Sequence, residues 1–288
     1  MTTIKHEEGR VRTADGLDLY CQSWTPEQAK ARVVLVHGAF EHSGRYHHVG
    51  RALAERGFAC HGLDQRAHGK SPGAKVHIER YADFLADVAA MRSKLSADEP
   101  DLPLFLFGHS QGGLVVLRLV VEDAAGVAGV VVTSPFLGIH PSSRPSALLA
   151  AAARVLSKAL PGLRLDNGLD AAGLSHDRTV VEAYRADPLV SHKASSRWLT
   201  ETLAAHEQVL AMAGRLSVPT LVIQAGGDTI VDGEATKRWV AAAPAALVEH
   251  VVLEGLYHEV LNEPEKAEVL DRIGRWLDAR VAGAGAAA

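Results

Sequence analysis

The sequence predicts an α/β protein, with a mostly parallel eight-stranded sheet, helices on both faces and a helical segment inserted after the sixth strand. Three observations predict it. Short uninterrupted apolar runs such as Val33-Val34-Leu35-Val36 alternate with stretches of helical spacing, and runs of that kind suit strands buried on both faces of a parallel sheet. The alternation stops at about residue 136 and resumes after Pro219. An antiparallel hairpin opens the chain.

Each element has its own signal. Segments 9–13 and 17–24 flank Ala14-Asp15-Gly16, and Asp-Gly between alternating segments marks a hairpin. Strand 33–36 ends at His37-Gly38. Helical spacing over 49–56 stops at Gly57, a residue suited to a helix C-terminus. Strand 58–63 follows, then a helix over 78–95 with Tyr81, Leu85, Val88 and Arg92 on one face. Strand 103–107, helix 114–122 and strand 127–133 complete the first block. Residues 136–216 are rich in Ala, Leu, Ser and Arg, with helical spacing and no convincing buried strand. Strand 220–224, helix 234–243, strand 247–253 and helix 264–280 restore the rhythm. The expected division is one sheet domain over 1–135 and 217–281, a helical insertion over 136–216, and a frayed Gly/Ala tail over 282–288. No internal repeat is evident.

The bulk numbers narrow the function. A chain of 288 residues with 47% hydrophobic and 22% charged residues can bury a sizeable core. Its 30 basic and 34 acidic residues give a net charge of −4, without the basic excess expected of a nucleic-acid binder. Two cysteines, Cys21 and Cys60, make no disulfide framework. The polar first ten residues lack an apolar signal core, and no apolar stretch is long enough to cross a bilayer. A cytoplasmic protein is expected.

Chemistry is concentrated at Gly108-His109-Ser110-Gln111-Gly112. This Gly-x-Ser-x-Gly follows an apolar strand and opens a helix. A serine at such a turn is held in a strained backbone and projects its oxygen from the sheet edge. The Gln111 amide, at the helix N-terminus, points towards any oxyanion formed there. A serine hydroxyl needs a base, and the chain order for this arrangement is serine, acid, histidine. Asp228 lies in the loop after strand 220–224 and His258 in the loop after strand 247–253. Both loops leave carboxyl ends of strands, the edge where open α/β sheets bind ligands. Asp228 would orient His258, and His258 would take the proton from Ser110. Asp232 is the rival acid, four residues on. In His37-Gly38-Ala39-Phe40 the glycine permits a sharp turn, and the Ala39 amide can supply a second oxyanion donor.

At these residues the sequence resembles the monoglyceride lipase and lysophospholipase branch of the α/β-hydrolase family. The resemblance runs from about residue 9 to 277 and rests on 37–46, 64–71, the Ser110 elbow, 184–190 and 257–263. It implies the α/β-hydrolase fold with a cap after the sixth strand. It also implies Ala39 and Gln111 as oxyanion donors and a substrate site touching Phe40, Glu41, Arg45, His109 and Tyr184. Of these, Glu41, Arg45 and His109 would shape a polar end that receives glycerol. For Glu41 and Arg45 the alternative is a local ion pair holding the loop. The sequence departs from the family at Phe40 and Ala67, where glycine is usual, and at Gln111, where Met is common.

Within the insertion, Leu148, Ala152, Val155, Leu156, Ala159, Leu160 and Leu163 share one helical face. Most of that face is expected to pack on the sheet domain. As a cap of the resembled family it would line the acyl channel and make transient contact with membrane surfaces, with Arg154, Lys158 and Arg164 nearby suited to anionic headgroups.

The expected function is cleavage of carboxylic esters, monoacylglycerols first, with lysophospholipids, general carboxylic esters and peptides as alternatives. From another class, a non-catalytic binding module would have no need of Ser110, Asp228 and His258 together. An Asp-nucleophile hydrolase is excluded by Ser110. The sequence carries no Walker A loop, Rossmann fingerprint or trusted metal-ligand pattern, so no cofactor and no metal are expected.

Overall fold

A computed structural model describes residues 3–144 and 146–285. The chain folds into strands β1 (Ile4–Arg12), β2 (Asp18–Pro26) and β3 (Ala31–Val36), helix α1 (His47–Glu55), strand β4 (Phe58–Leu63) and helix α2 (Ala82–Asp98). Strand β5 (Leu104–His109), helix α3 (Gln111–Glu122) and strand β6 (Val127–Thr133) follow. Helix α4 (Ala147–Ala159), strand β7 (Arg164–Asp166), helix α5 (Arg178–Ala186), strand β8 (Lys193–Ser195) and helix α6 (Ser196–Ala211) come next. Strand β9 (Thr220–Ala225), helix α7 (Gly233–Ala242), strand β10 (Val248–Leu253) and helix α8 (Lys266–Gly285) close the chain.

Eight strands form one sheet in the order β1-β2-β4-β3-β5-β6-β9-β10. The first three in that order pair antiparallel and the rest parallel. Alternate side chains of the central strands feed two separate cores. Val34 and Val36 join the core under α2, α3, α6 and α7, while Val33 and Leu35 join the one under α1 and α8. The period-two geometry of a strand thus explains why β3 reads as an unbroken apolar run. Helix α3 is buried from Gln111 to Leu117, which is why it shows so little polar face.

Several boundaries differ from the sequence expectation. β1 starts at Ile4, within a stretch too polar to read as a strand. Its pattern is that of an exposed edge, where Lys5, Glu7 and Glu8 discourage pairing with another chain. α2 starts at Ala82; Ile78 and Tyr81 are buried but precede the helix. The insertion contains a two-stranded ribbon, β7 with β8, of three residues each, too short to leave a periodic signal. α8 continues to Gly285, past the expected start of the tail at Ala282; residues 286–288 lie outside the described residues. Both cysteines are free, and among the described residues no helix is long and apolar enough to cross a membrane.

Candidate active site

Ser110 sits between β5 and α3 with φ 51° and ψ −116°, a backbone that residues with a Cβ rarely adopt. Close approach forces the glycines around it. A Cβ on Gly112 would collide with the carbonyl of Val36, and one on Gly108 with the backbone of Gly112. The strand, the turn and the helix are therefore pressed together, and the Ser110 side chain is directed out of the turn.

Three residues from three loops meet there. His258 Nε2 lies 3.0 Å from Ser110 Oγ, and His258 Nδ1 lies 2.7 Å from Asp228 Oδ2. The other Asp228 oxygen accepts the backbone N–H groups of Ile230 at 2.8 Å and Val231 at 3.0 Å. The rival Asp232 is engaged elsewhere: it caps α7 through the Glu234 N–H and pairs with Arg144 and Arg238. Ser134, which the sequence did not single out, donates to the His258 carbonyl at 2.7 Å.

The electrostatics suit a proton shuttle. Burial alone would raise the Asp228 carboxyl, but the charge of His258, its hydrogen bond and the two amides hold it below its ordinary value. Burial alone would lower His258, but Asp228 outweighs it, so the imidazole is more basic than usual. The His109 ring lies tilted against His258, with centroids 4.9 Å apart and planes at 55°, and bonds Thr133. Burial, and then the charge of His258, push it down to about 4, so it stays neutral while His258 titrates.

Above Ser110 lies a cavity of about 310 Å³. Gly38, Ala39, Phe40, Glu41, His109 and Tyr184 line it, together with apolar residues from the insertion and the following loops, among them Phe136, Leu174, Trp198 and Ile230. The Gln111 amide is the first N–H of α3 and has no intrahelical acceptor. Ala39 and Gln111 thus flank Ser110 from two different elements.

Glu41 and Arg45 are parts of one buried network. Glu41 accepts the Gly38 N–H at 2.7 Å and the Tyr46 hydroxyl at 2.6 Å, and it pairs with Arg45. Arg45 also grips Glu259 with two bonds of 2.6 and 2.7 Å and lies 4.8 Å over the Tyr184 ring. Burial would raise the Glu41 carboxyl, but Arg45, His109 and His37 hold it below its usual value. The network ties the Gly38-Ala39 turn to the residue after His258. Glu41 and Glu259 reach the cavity lining, whereas Arg45 is not part of it. The Tyr184 hydroxyl is buried, with no hydrogen-bond partner among the described residues.

Two of the three departures noted in the sequence share a geometry. Phe40 and Ala67 occupy left-handed backbone, with φ 69° and 62°, the conformation for which glycine is the usual residue. The turn at Ala67 is retained, held by its backbone bonds to Pro72 and Val76. Glu259 and Trp198 were not singled out by sequence reasoning, and the insertion lines the cavity through Phe136, Leu169, Leu174, Trp198 and Leu199 rather than through the 148–163 face, whose Leu148, Val155, Leu160 and Leu163 are exposed and not packed on the sheet domain. Glu259 had one signal, its place beside His258.

Known proteins resemble this chain over nearly its whole length. The family described as serine aminopeptidase, S33, matches residues 27–265. A monoacylglycerol lipase of Mycolicibacterium smegmatis is 34% identical over 96% of this chain and 99% of its own length. The chain belongs to the monoglyceride lipase branch of the α/β-hydrolases. Within that branch, a monoacylglycerol lipase of Paleococcus ferrophilus superposes with TM-score 0.81 at 30% identity, over 96% of this chain and 99% of that one. A phospholipase of Bacillus subtilis is 32% identical over 89% of this chain and 98% of its length. Among the described residues, no group of three or more His, Cys, Asp or Glu is placed to hold a metal ion.

Proposed function

We propose that this member of the branch hydrolyses monoacylglycerols to glycerol and fatty acid through an acyl-enzyme. The observation that carries the reading is the Ser110–His258–Asp228 relay at a cavity lined by both polar and apolar residues. Ser110 Oγ attacks the ester carbonyl as His258 Nε2 takes its proton. The Ala39 and Gln111 amides hold the developing oxyanion, and losing one such donor costs roughly 10²–10³ in rate. His258 then protonates the departing glycerol oxygen, breaking the C–O bond. A water, deprotonated by His258, releases the fatty acid and returns the proton to Ser110.

The unpartnered Tyr184 hydroxyl, with Glu41 and His109, suits the glycerol hydroxyls, and the apolar lining residues Phe136, Leu174, Trp198 and Leu199 suit the acyl chain. On this reading residues 136–216 act as a cap over the domain formed by 1–135 and 217–281. The cap also meets the lipid surface. Leu148, Val155, Leu160, Leu163 and Leu165 are exposed, Leu148 by 82%, and Arg154, Lys158 and Arg164 lie among them in sequence. An exposed apolar group rimmed by cations fits shallow insertion beside anionic headgroups. Such a protein would work in the cytoplasm and visit membranes peripherally.

The test is hydrolysis of 1-monoacylglycerols by wild type and Ser110→Ala, beside lysophospholipids and aminoacyl amides. Wild type is expected to prefer monoacylglycerols, and the variant to lose on the order of 10⁶ in kcat. A preference for lysophospholipids or amides would overturn the substrate assignment, and equal rates for the two proteins would overturn the role of Ser110.

A further inference from the structure

The two oxyanion donors proposed above, Ala39 and Gln111, belong to separate segments, so their spacing must be held from outside either one. A single tryptophan of the insertion touches both segments. The Trp198 indole N–H donates to the Gln111 side-chain oxygen at 2.9 Å. An indole nitrogen can only donate, so this contact sets which way the Gln111 amide points. The Phe40 ring lies against Trp198 with centroids 5.1 Å apart and planes at 51°. Phe40 follows Ala39 in the turn after β3, and Gln111 opens α3. The indole therefore reaches from one donor segment to the other, and all three side chains are buried.

The base of the tryptophan is itself fixed. Trp198 lies in the first turn of α6, where its backbone N–H donates to Ser195 Oγ at 3.0 Å. The Ser195 N–H in turn donates to the Val76 carbonyl of the sheet domain at 3.0 Å. Nearby, the Ser191 N–H donates to the Phe40 carbonyl at 2.8 Å. Phe40 keeps a left-handed backbone of φ 69°, where a bulky residue stays only if its surroundings over-determine it. On the other side of Ala39, Glu41 accepts the Gly38 N–H at 2.7 Å. Ala39 is thus held through the residue before it and the residue after it. The Gln111 side chain has less support. Its nitrogen has no partner among the described residues, which leaves its oxygen bond to Trp198.

We propose that Trp198 is a positioning residue that fixes the spacing of the Ala39 and Gln111 amides, so that the insertion completes the oxyanion pocket. It acts through the Gln111 side chain on one segment and the Phe40 ring on the other. The proposal rests on the esterase reading above and concerns the rate of attack at the carbonyl, not the choice of acyl chain. Donors of this kind work only at hydrogen-bond distance from the oxyanion, and a displacement of about 1 Å costs on the order of 10² in rate. Loosening one donor is milder than that, so a loss of about tenfold is expected.

The experiment compares wild type, Trp198→Phe, Gln111→Met and the double variant. The substrates are 1-octanoylglycerol, 1-palmitoylglycerol and the thiono analogue of the first, with sulfur in place of the carbonyl oxygen. Gln111→Met keeps the backbone N–H and removes only the side-chain acceptor. Sulfur accepts hydrogen bonds weakly, so the thiono ester gains little from the donor pair. In each single variant kcat on both oxygen esters is expected to fall about tenfold, with KM changed by less than about twofold. The ratio of kcat/KM for the octanoyl ester over its thiono analogue should fall about tenfold as well. The double variant should lose about as much as one single variant, because both changes break the same bond. Circular dichroism establishes folding, and if Trp198→Phe fails to fold, Gln111→Met tests the bond from its other end. An unchanged ratio would overturn the positioning role, and so would losses that multiply in the double variant. A loss much larger on the palmitoyl ester would also overturn it, since the tryptophan would then act by touching the chain. Wild type inert on both oxygen esters would overturn the esterase reading and this role with it; an active wild type with unchanged ratios in the variants overturns this role alone.

Discussion

Replacing Asp228 by Asn tests the proposed relay more sharply than deleting the serine does. Asp228 uses its two oxygens for different tasks. One accepts the N–H groups of Ile230 and Val231 at 2.8 and 3.0 Å, and the other meets His258 Nδ1 at 2.7 Å. In Asp228→Asn the amide oxygen must stay on the two N–H donors, so the amide nitrogen turns to His258. An N–H there requires an acceptor, which places the imidazole proton on Nε2, facing Ser110. The base is then in the wrong tautomer with its geometry unchanged. A loss of about 10⁴ in kcat is expected, or about 5 kcal/mol of transition-state stabilisation at roughly 1.4 kcal/mol per tenfold. The pH profile should move as well. His258 is raised because Asp228 outweighs the effect of burial. A general base must be unprotonated, so wild-type activity falls as pH drops through this raised value. Without the carboxylate, burial dominates and the limb shifts to lower pH. The assay is kcat/KM on a monoacylglycerol between about pH 5 and 9, with the melting temperature as a control. A loss of less than tenfold, or a limb that moves to higher pH, would refute the assignment of Asp228.

Three further outcomes are expected. Ser110→Gly should be inactive yet more stable by about 1 kcal/mol in urea titration, because glycine relieves the backbone at φ 51°; equal or lower stability would mean that the turn is unstrained. Glu41→Gln should lose about 2 kcal/mol, since it removes charged hydrogen bonds to Gly38, Tyr46 and Arg45. Because the Glu41 carboxyl is depressed on folding from an ordinary value of 4.5, its contribution is present above that pH and is lost as pH falls below it. Melting temperature should therefore decline less steeply with acid in Glu41→Gln than in wild type, and parallel declines would count against the network. Leu148→Asp combined with Val155→Asp, both at exposed positions, should change stability by no more than about 0.5 kcal/mol while reducing co-sedimentation with anionic vesicles; undiminished binding would remove the cap from the membrane contact.

The sheet and the Ser110 turn were legible because their signals are local. Strands buried on both faces must be apolar throughout, so β3, β5, β6 and β9 stand out in the sequence. Ser110 and Asp228 each lie just beyond such a strand, His258 lies beyond the less buried edge strand β10, and all three follow the carboxyl ends of parallel strands at one edge of the sheet. What was hidden depends on distant partners. Nothing near Trp198 announces that it will meet Gln111 and Phe40. The left-handed backbone at Phe40 and Ala67 was signalled only by the resemblance, in which glycine is usual at both, because neither residue favours that conformation by itself. Whether Glu41 and Arg45 bind substrate or each other was undecidable without knowing that Glu259 closes on Arg45 from 214 residues away. The ribbon of β7 and β8 is shorter than any periodicity can register.

The Arg45 bridge also bears on the timing of synthesis. Its carboxylates belong to opposite ends of the chain, Glu41 in the first fifty residues and Glu259 in the last thirty. A nascent chain that has already made β5 and the Ser110 turn still lacks His258, and its Arg45 has half of its counter-charge. A buried charge lacking one of its partners is costly, so the Arg45 bridge closes only once the chain carrying Glu259 is available. On the proposed function, Ser110 is thereby without His258 until the last strand and its loop have been made.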